Sequence, residues 1–471
     1  MSLATQVPML AEWVKAQEVK GAKLKNASVF NRNLEEMLDM RRAEQKLITL
    51  RKIGPNSDFS SNDFLSLGSS GILRTAFLEE LARLPNFNVG STGSRLLSGN
   101  NDYIETLENE IAEFHGSEKA LIVNSGFEGN CSIFSTVPRA GDVIVYDELV
   151  HASVHEGMAR SAVIVREPFR HNDVESFRDT LESILETQAL IRDGHRCVII
   201  AVETIYSMDG DVTPLKDLVE VAKELFPAGN AQFVVDEAHS TGVVGPKGAG
   251  LVCSLGLQKD VAIRLHTFSK ALSGSGGVIL CNDTVRTTLI NNARPLYFTA
   301  SPSYPTLAAI KAGYRLLKEG ATEQAQQTLQ DRIKLFLTTL SSHPAYDRAV
   351  DAGIFHVPLM EGWESKPFLT QIVPIITPEK HNYFLTFHLQ LLKMSAYPVD
   401  FPVVPKGESR VRLVFKATNT PQEIVELANA ICEWGDEMLE IKRGGKTGTL
   451  PKAARQVYSW LAAGANTNGF H

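Results

Sequence analysis

The chain has 471 residues, 44% of them hydrophobic and 21% charged, enough for a large core domain plus a smaller one. Its 54 acidic and 47 basic residues leave a net charge of −7, which gives no reason to expect nucleic acid or an anionic membrane surface as partner. Five scattered cysteines with no C-x-x-C pair argue against a disulfide framework or a structural zinc site.

Residues 9–50 read as helical, with Leu34, Met37, Leu38, Leu47 and Ile48 on one stripe, until Gly54-Pro55 breaks the pattern. A second helix is expected over 72–84, followed by the small-residue loop 89–95. Asp102 and Glu105 have capping-box spacing ahead of Leu107, Ile111 and Phe114, and Gly116 closes that helix. Residues 120–123 read as a strand running into Asn124-Ser125-Gly126-Phe127. Such a strand-to-helix turn suits a phosphate, although a plain tight turn is the commoner meaning of the pattern.

Further strands are expected at 143–145, 197–202, 233–235, 263–266 and 278–280, with helices near 174–192 and 215–226. This alternation predicts a doubly wound, mostly parallel α/β sheet. No G-x-G-x-x-G follows a strand, and the glycines of 245–250 lack the G-K-[ST] that closes a P-loop. A long helical region near 304–340 leads to strands at 371–376 and 411–415. Thr420-Pro421-Gln422-Glu423 opens the last helix with a capping box. The expected organisation is an N-terminal helical segment (1–60), a large cofactor domain (61–320), a smaller α+β domain (321–442) and a flexible tail (443–471). The N-x-S matches at Asn26 and Asn130 read as chance. No secretory signal, apolar membrane-length run or peroxisomal tripeptide is visible, so a cytoplasmic location is expected.

The chemistry concentrates between residues 232 and 270. An apolar run, Phe233-Val234-Val235, ends on Asp236-Glu237-Ala238-His239, and His266-Thr267-Phe268-Ser269-Lys270 follows. A carboxylate at a strand end, a histidine three residues on and a downstream lysine suit pyridoxal phosphate, whose ring nitrogen needs an acid and whose aldehyde needs an amine. His151 and His155 stand four apart, as helical metal ligands do. No third ligand and no H-E-x-x-H order accompany them, so no metal is expected.

Seven motifs in order resemble one family: Asn62-Asp63-Phe64-Leu65, Gly90 through Arg95, Asp147 through Ser153, His171-Asn172-Asp173, Glu203 through Asp211, Asp236 through Gly242, and Thr267 through Lys270. They resemble the α-oxoamine synthases, fold-type-I pyridoxal-phosphate enzymes, over about residues 30–440. The wording is most similar to fungal 8-amino-7-oxononanoate-synthase-like proteins. The resemblance implies a seven-stranded, mostly parallel sheet sandwiched by helices. It makes Lys270 the Schiff-base lysine and base, Asp236 the ring-nitrogen partner, His239 the partner of the phenolic oxygen and His151 the ring stacker. Ser125, Gly126, Phe127, Glu203, Ser207 and Thr267 would complete the cofactor site. Asn62 would contact substrate, and Arg412 would grip its carboxylate.

The resemblance also implies a homodimer in which Thr299 or Ser301 reaches the partner's cofactor phosphate. The implied reaction condenses an amino acid, alanine foremost, with an acyl-CoA such as pimeloyl-CoA, releasing CoA and CO2. Ser269, Ser273 and Thr92 stand where family members carry glycine or another small residue. These departures motivate an alternative, a secondary-metabolism paralogue using another amino acid and a longer or carrier-bound acyl chain. A third alternative, a non-catalytic partner subunit, conflicts with the presence of Lys270, Asp236, His239 and His151.

Overall fold

A strand that is apolar at consecutive positions needs cover on both faces. The computed structural model describes residues 8–24, 26–50, 54, 56–444 and 449–467, and it meets this demand in the larger of two units, Asn62–Asp331 with Lys416–Thr418. One sheet there contains β1 (Lys119–Val123), β2 (Val143–Asp147), β3 (Arg166–Phe169), β4 (Val198–Glu203), β5 (Ala231–Asp236), β6 (Val261–Thr267) and β7 (Gly277–Cys281). The spatial order is β1-β7-β6-β5-β4-β2-β3. The run from β6 to β3 is parallel, and β7 lies antiparallel to both its neighbours.

Alternate residues of the central strands divide between two cores. Val143, Val145, Val198, Ile200, Phe233 and Val235 join Phe177 and Leu181 of helix Val174–Thr187 and Leu215 and Leu218 of helix Leu215–Leu225. On the opposite face, Ile144, Ile199, Val234, Ile263 and Leu265 join Ile133 and Phe134 of α1 (Gly126–Thr136) and Val154 and Met158 of α2 (Ala152–Ala159). Sequence reasoning missed β3. Its Arg-Glu-Pro-Phe wording is not a core pattern, but an edge strand tolerates charge and proline.

Several boundaries differ from expectation. The cap before helix Asp102–Phe114 is Asn101, whose side chain accepts the Ile104 N–H at 3.1 Å, so the start lies one residue earlier than the Asp102–Glu105 pattern indicated. The region near 304–340 is two helices, Tyr304–Lys318 and Glu323–Ser342, separated by Gly320 at φ +73°. The helix near 174–192 breaks at Gln188.

The smaller unit comprises Met1–Ser61, Arg332–Phe415 and Asn419–His471. Its three-stranded sheet has the order β9 (Tyr397–Val399), β10 (Arg410–Val414), β8 (Ile372–Ile376) and is antiparallel. Helix Pro421–Arg443 starts with the expected capping box. Thr420 Oγ1 accepts the Glu423 N–H at 3.2 Å, and the Glu423 carboxylate accepts the Thr420 N–H at 2.7 Å.

Two expectations fail in this unit. The stretch over 9–50 is not one helix but Pro8–Ala16, a short 3-10 turn and Val29–Ala43; its stripe is largely uncovered, with Leu34 45% and Met37 49% exposed. The tail expected to be flexible carries helix Lys452–Thr467, which buries Ala453, Ala454 and Val457 and sets Tyr458 edge-on to Phe384 and Phe387. Among the described residues, no helix is long and apolar enough to cross a membrane.

Candidate active site

Asp147, Glu203, Asp236 and Thr267 are the last residues of β2, β4, β5 and β6. They therefore share the carboxyl edge of the sheet, where open α/β folds bind ligands. Glu203 pairs with Asp236 in the β4–β5 register. Burial, reinforced by the neighbouring Asp236 charge and opposed by Lys270, holds the Glu203 carboxyl well above the usual range. Asp236 Oδ1 accepts the Ala238 N–H at 2.9 Å, and Oδ2 accepts from the Asn130 amide at 2.8 Å. His239 is buried, its ring 6.0 Å from that of Phe64. Lys270 is half-buried and interacts electrostatically with both His151 and Glu203, while Ser269 beside it is exposed.

Across from this group, Ser125 caps α1 by accepting the Glu128 N–H at 3.0 Å. The first N–H groups of the helix, on Gly126 and Phe127, then have no helical carbonyl to bond. A β-carbon on Gly126 would lie 2.1 Å from Thr267 Cγ2, so only glycine lets the turn approach β6 this closely. The Thr267 hydroxyl is buried and makes no protein hydrogen bond. A helix N-terminus beside an unspent hydroxyl suits an anionic group.

Sequence reasoning named Asn130 only as a chance N-x-S match and Ser153 only within its motif, and gave neither a place in the site. Asn130 is 2% exposed and donates to both Asp236 and the Ser153 hydroxyl, so its N-x-S match has nothing to do with glycosylation. Ser153 Oγ lies 2.7 Å from His151 Nδ1, and the His151 ring stands edge-on to Phe127. Asn130 shares the buried face of α1 with Ile133 and Phe134, and a polar residue on a core face needs a partner.

His171 was quoted only as part of a motif. Its Nδ1 lies 2.8 Å from Asp147 and its Nε2 2.8 Å from Asp211, with the ring edge-on to Tyr206. Burial disfavours the charge, but the hydrogen bonds to Asp147 and Asp211 prevail and push the pKa up from 6.5 to about 10. Because the folded value is raised, the stabilisation is complete below about 6.5 and is lost as pH rises through about 10. Asp211 is 35% exposed, so after solvent screening roughly 2 kcal/mol is expected. His171→Gln should lower the melting temperature at pH 7, and the deficit should shrink above pH 10. A deficit independent of pH would show that His171 serves as a shape and not as a charge.

The remaining expected residues divide between the units. Asn62 and Ser207 are half-buried in the larger one. In the same unit Thr299 is exposed, whereas the Ser301 hydroxyl is buried without a protein partner and the Ser301 N–H donates to Gly93. Arg412 lies on β10 of the smaller unit. Its neighbour on that face, Arg410, is fully buried and paired to Glu408 at 3.0 Å, whereas Arg412 is partly exposed. Two of the departures have a conformational meaning. Thr92 has φ +57° and Ser273 φ +50°, the left-handed region that favours glycine.

The sheet, with Asp236 and Lys270 at or just after its strand ends and the anion-ready turn beside Thr267, suits a pyridoxal-phosphate enzyme. A family model described as aminotransferase class I and II matches residues 56–431. "Aminoacyl transferase sphA" of Aspergillus fumigatus is 48% identical over 98% of this chain and 98% of its own. "8-amino-7-oxononanoate synthase" of Emericella nidulans is 42% identical over 85% of this chain and 95% of its own. In fold, the chain is similar to serine palmitoyltransferase of Sphingomonas wittichii (TM-score 0.68, 21% identity, covering 88% of this chain and 99% of that one). Hence the chain belongs to the α-oxoamine synthases within the class I and II aminotransferase group, and it is a pyridoxal-phosphate-dependent enzyme of the acyltransferase type. The residues present fit that cofactor: Asp236 is a fixed carboxylate, Lys270 an amine, and Thr267 with the start of α1 an anion cradle.

Proposed function

We propose that the enzyme joins an amino acid to an acyl thioester with loss of CO2, giving an α-aminoketone. The observation that carries this reading is the clustering of Lys270, Asp236, Glu203 and His151 near the carboxyl edge of the sheet, where His151 and Glu203 each feel the charges of Asp236 and Lys270. Pyridoxal phosphate, when bound, supplies an aldehyde for the amino group and a ring that accepts the electron pair left at Cα. Asp236 keeps a proton on the ring nitrogen, and His239 donates to the phenolic oxygen. Lys270 Nζ takes the Cα proton and later returns one. In net terms Cα bonds to the thioester carbonyl carbon, the sulfur leaves as free thiol, and the carboxyl group leaves as CO2. Ser125, Gly126, Phe127 and Thr267 would hold the phosphate, and Ser207 and Glu203 would complete the cofactor site. Asn62 contacts the substrate, and Arg412 is assigned to its carboxylate by motif, since a planar guanidinium suits a bidentate carboxylate.

The substrate pair is better described by the paralogue reading than by alanine with pimeloyl-CoA. The proteins named aminoacyl transferase sphA match at 47–48% over 98% of the chain, against 42% over 85% for the Emericella synthase. The left-handed Thr92 and Ser273 support a pocket altered from the glycine-bearing form. A panel of amino acids against acyl-CoA and acyl-carrier thioesters, followed by thiol release, is expected to favour a chain longer than pimeloyl. Rescue of a biotin auxotroph lacking the synthase step would return alanine and pimeloyl-CoA to first place. Absence of thiol release with every pair, despite bound cofactor, would remove the condensation itself.

The enzyme is also proposed to be a homodimer, with Ser301 or Thr299 serving the partner's phosphate site. Leu97, Tyr297 and Phe298 of the larger unit are exposed apolar residues close in sequence to the segments involved, as an interface requires. Light scattering should give twice the 51.7 kDa chain mass, and a single-chain mass would exclude the shared site.

A further inference from the structure

His151 occupies the N-cap of α2, an unusual place for histidine, and its ring nitrogen does the capping. The Ser153 backbone N–H lies 3.3 Å from Nδ1 and can only donate, so Nδ1 carries no proton. The Ser153 hydroxyl, 2.7 Å from the same nitrogen, must then donate as well. Its oxygen is left to accept from the Asn130 side chain at 3.0 Å. The orientation of the Asn130 amide is not arbitrary. The same atom faces Asp236 Oδ2 at 2.8 Å, and an ionised carboxylate only accepts, so that atom is the NH2 nitrogen. Every donor and acceptor in the chain from Asp236 through Asn130 and Ser153 to His151 thus has one consistent direction. Asn130 and Ser153 are 2% and 0% exposed, so water does not offer an alternative.

We infer that Asn130 and Ser153 are positioning residues that fix His151 as the neutral ring protonated at Nε2 and lock it to the Asp236 carboxylate as one unit. This rests on the reading of Asp236 and His151 as cofactor-facing groups. Burial also keeps the His151 pKa below its ordinary value, with Asp236 opposing and Lys270 assisting. The arrangement leaves Nε2–H as a hydrogen-bond donor on the ring edge opposite Ser153. A ring free to exchange tautomers would present that donor only part of the time.

The test is 15N NMR of histidine-labelled full-length protein, with and without pyridoxal phosphate, the His151 signals being assigned by their loss in His151→Gln. The expected spectrum has Nδ1 unprotonated and Nε2 protonated. Ser153→Ala loses the 2.7 Å hydroxyl bond and keeps only the long 3.3 Å backbone one, so both signals should shift part of the way towards tautomer averaging and kcat should fall about tenfold, the worth of one hydrogen bond, with little change in KM. Ser153→Thr, which keeps the hydroxyl, should restore both. A proton on Nδ1 in the unsubstituted protein overturns the inference, as does a Ser153→Ala spectrum identical to the parent. Equal losses in Ser153→Ala and Ser153→Thr would mark Ser153 as a packing residue and overturn it too. A protein that binds no pyridoxal phosphate would defeat the proposed function, while the ligand-free spectrum would still decide the tautomer.

Discussion

Lys270→Ala is expected to abolish the visible absorbance of the cofactor-loaded protein and to lower the condensation rate about a thousandfold or more. Two separate losses combine in this variant. The proposed covalent anchor for the aldehyde disappears, and so does the amine proposed to exchange a proton with Cα. The fold should survive, because Lys270 is only half-buried and follows β6 rather than forming part of it. Its backbone carbonyl still accepts the Ser273 N–H at 2.8 Å whatever the side chain. Thermal midpoints of the ligand-free variant and parent should therefore agree closely. Borohydride treatment of the loaded parent, followed by peptide mass analysis, should place the cofactor on the peptide containing Lys270. Trapping on another lysine would reassign the anchor, and full activity in the variant would end the proposed mechanism.

How much was readable beforehand differs from residue to residue. The position of Asp236 could be read because a carboxylate after an apolar run marks a strand end, and His239 and Lys270 follow strand ends in the same way, the edge where this fold binds ligands. Asn130 could not be read from local pattern, since N-C-S looks like a surface acceptor motif. Only the buried face it shares with Ile133 and Phe134 reveals it as a core residue in need of a partner. Ser153 was quoted with its motif, yet its link to His151 depends on a helix-start geometry that spacing does not encode. His171 illustrates the same limit, because its two carboxylates come from 24 and 40 residues away. The tail helix Lys452–Thr467 was lost behind a Gly-, Lys- and Asn-rich composition, although Ala453 and Val457 have helical spacing and are buried. The stripe shows the converse: Leu34, Met37 and Leu38 lie on helix Val29–Ala43, but Leu47 and Ile48 lie beyond its end, because apolar spacing alone does not mark where a helix stops.

Asp236→Asn is expected to cost about 10²–10³-fold in kcat, the usual scale for removing a preorganised electrostatic group. The substitution keeps the shape but removes the charge proposed to hold a proton on the ring nitrogen. It also disturbs its surroundings in a predictable direction. Both Asp236 oxygens now accept, one from Ala238 and the other from Asn130. An amide at this position can accept at only one atom, so its NH2 must face either the Ala238 N–H or the Asn130 NH2. Two donors face to face in a buried site cost roughly 1–3 kcal/mol, so a lower thermal midpoint is expected even without cofactor. Glu203 responds in the opposite sense. Burial and then the Asp236 charge raise the pKa of its carboxyl, so the variant should ionise Glu203 more readily. Infrared difference spectroscopy can follow the protonated carboxyl band across a pH titration, and that band should vanish at lower pH in Asp236→Asn than in the parent. An unchanged band would mean that Glu203 does not sense Asp236. An unchanged kcat would mean that the ring nitrogen draws its proton from another group, and Asp236 would then be left as a structural brace for Asn130.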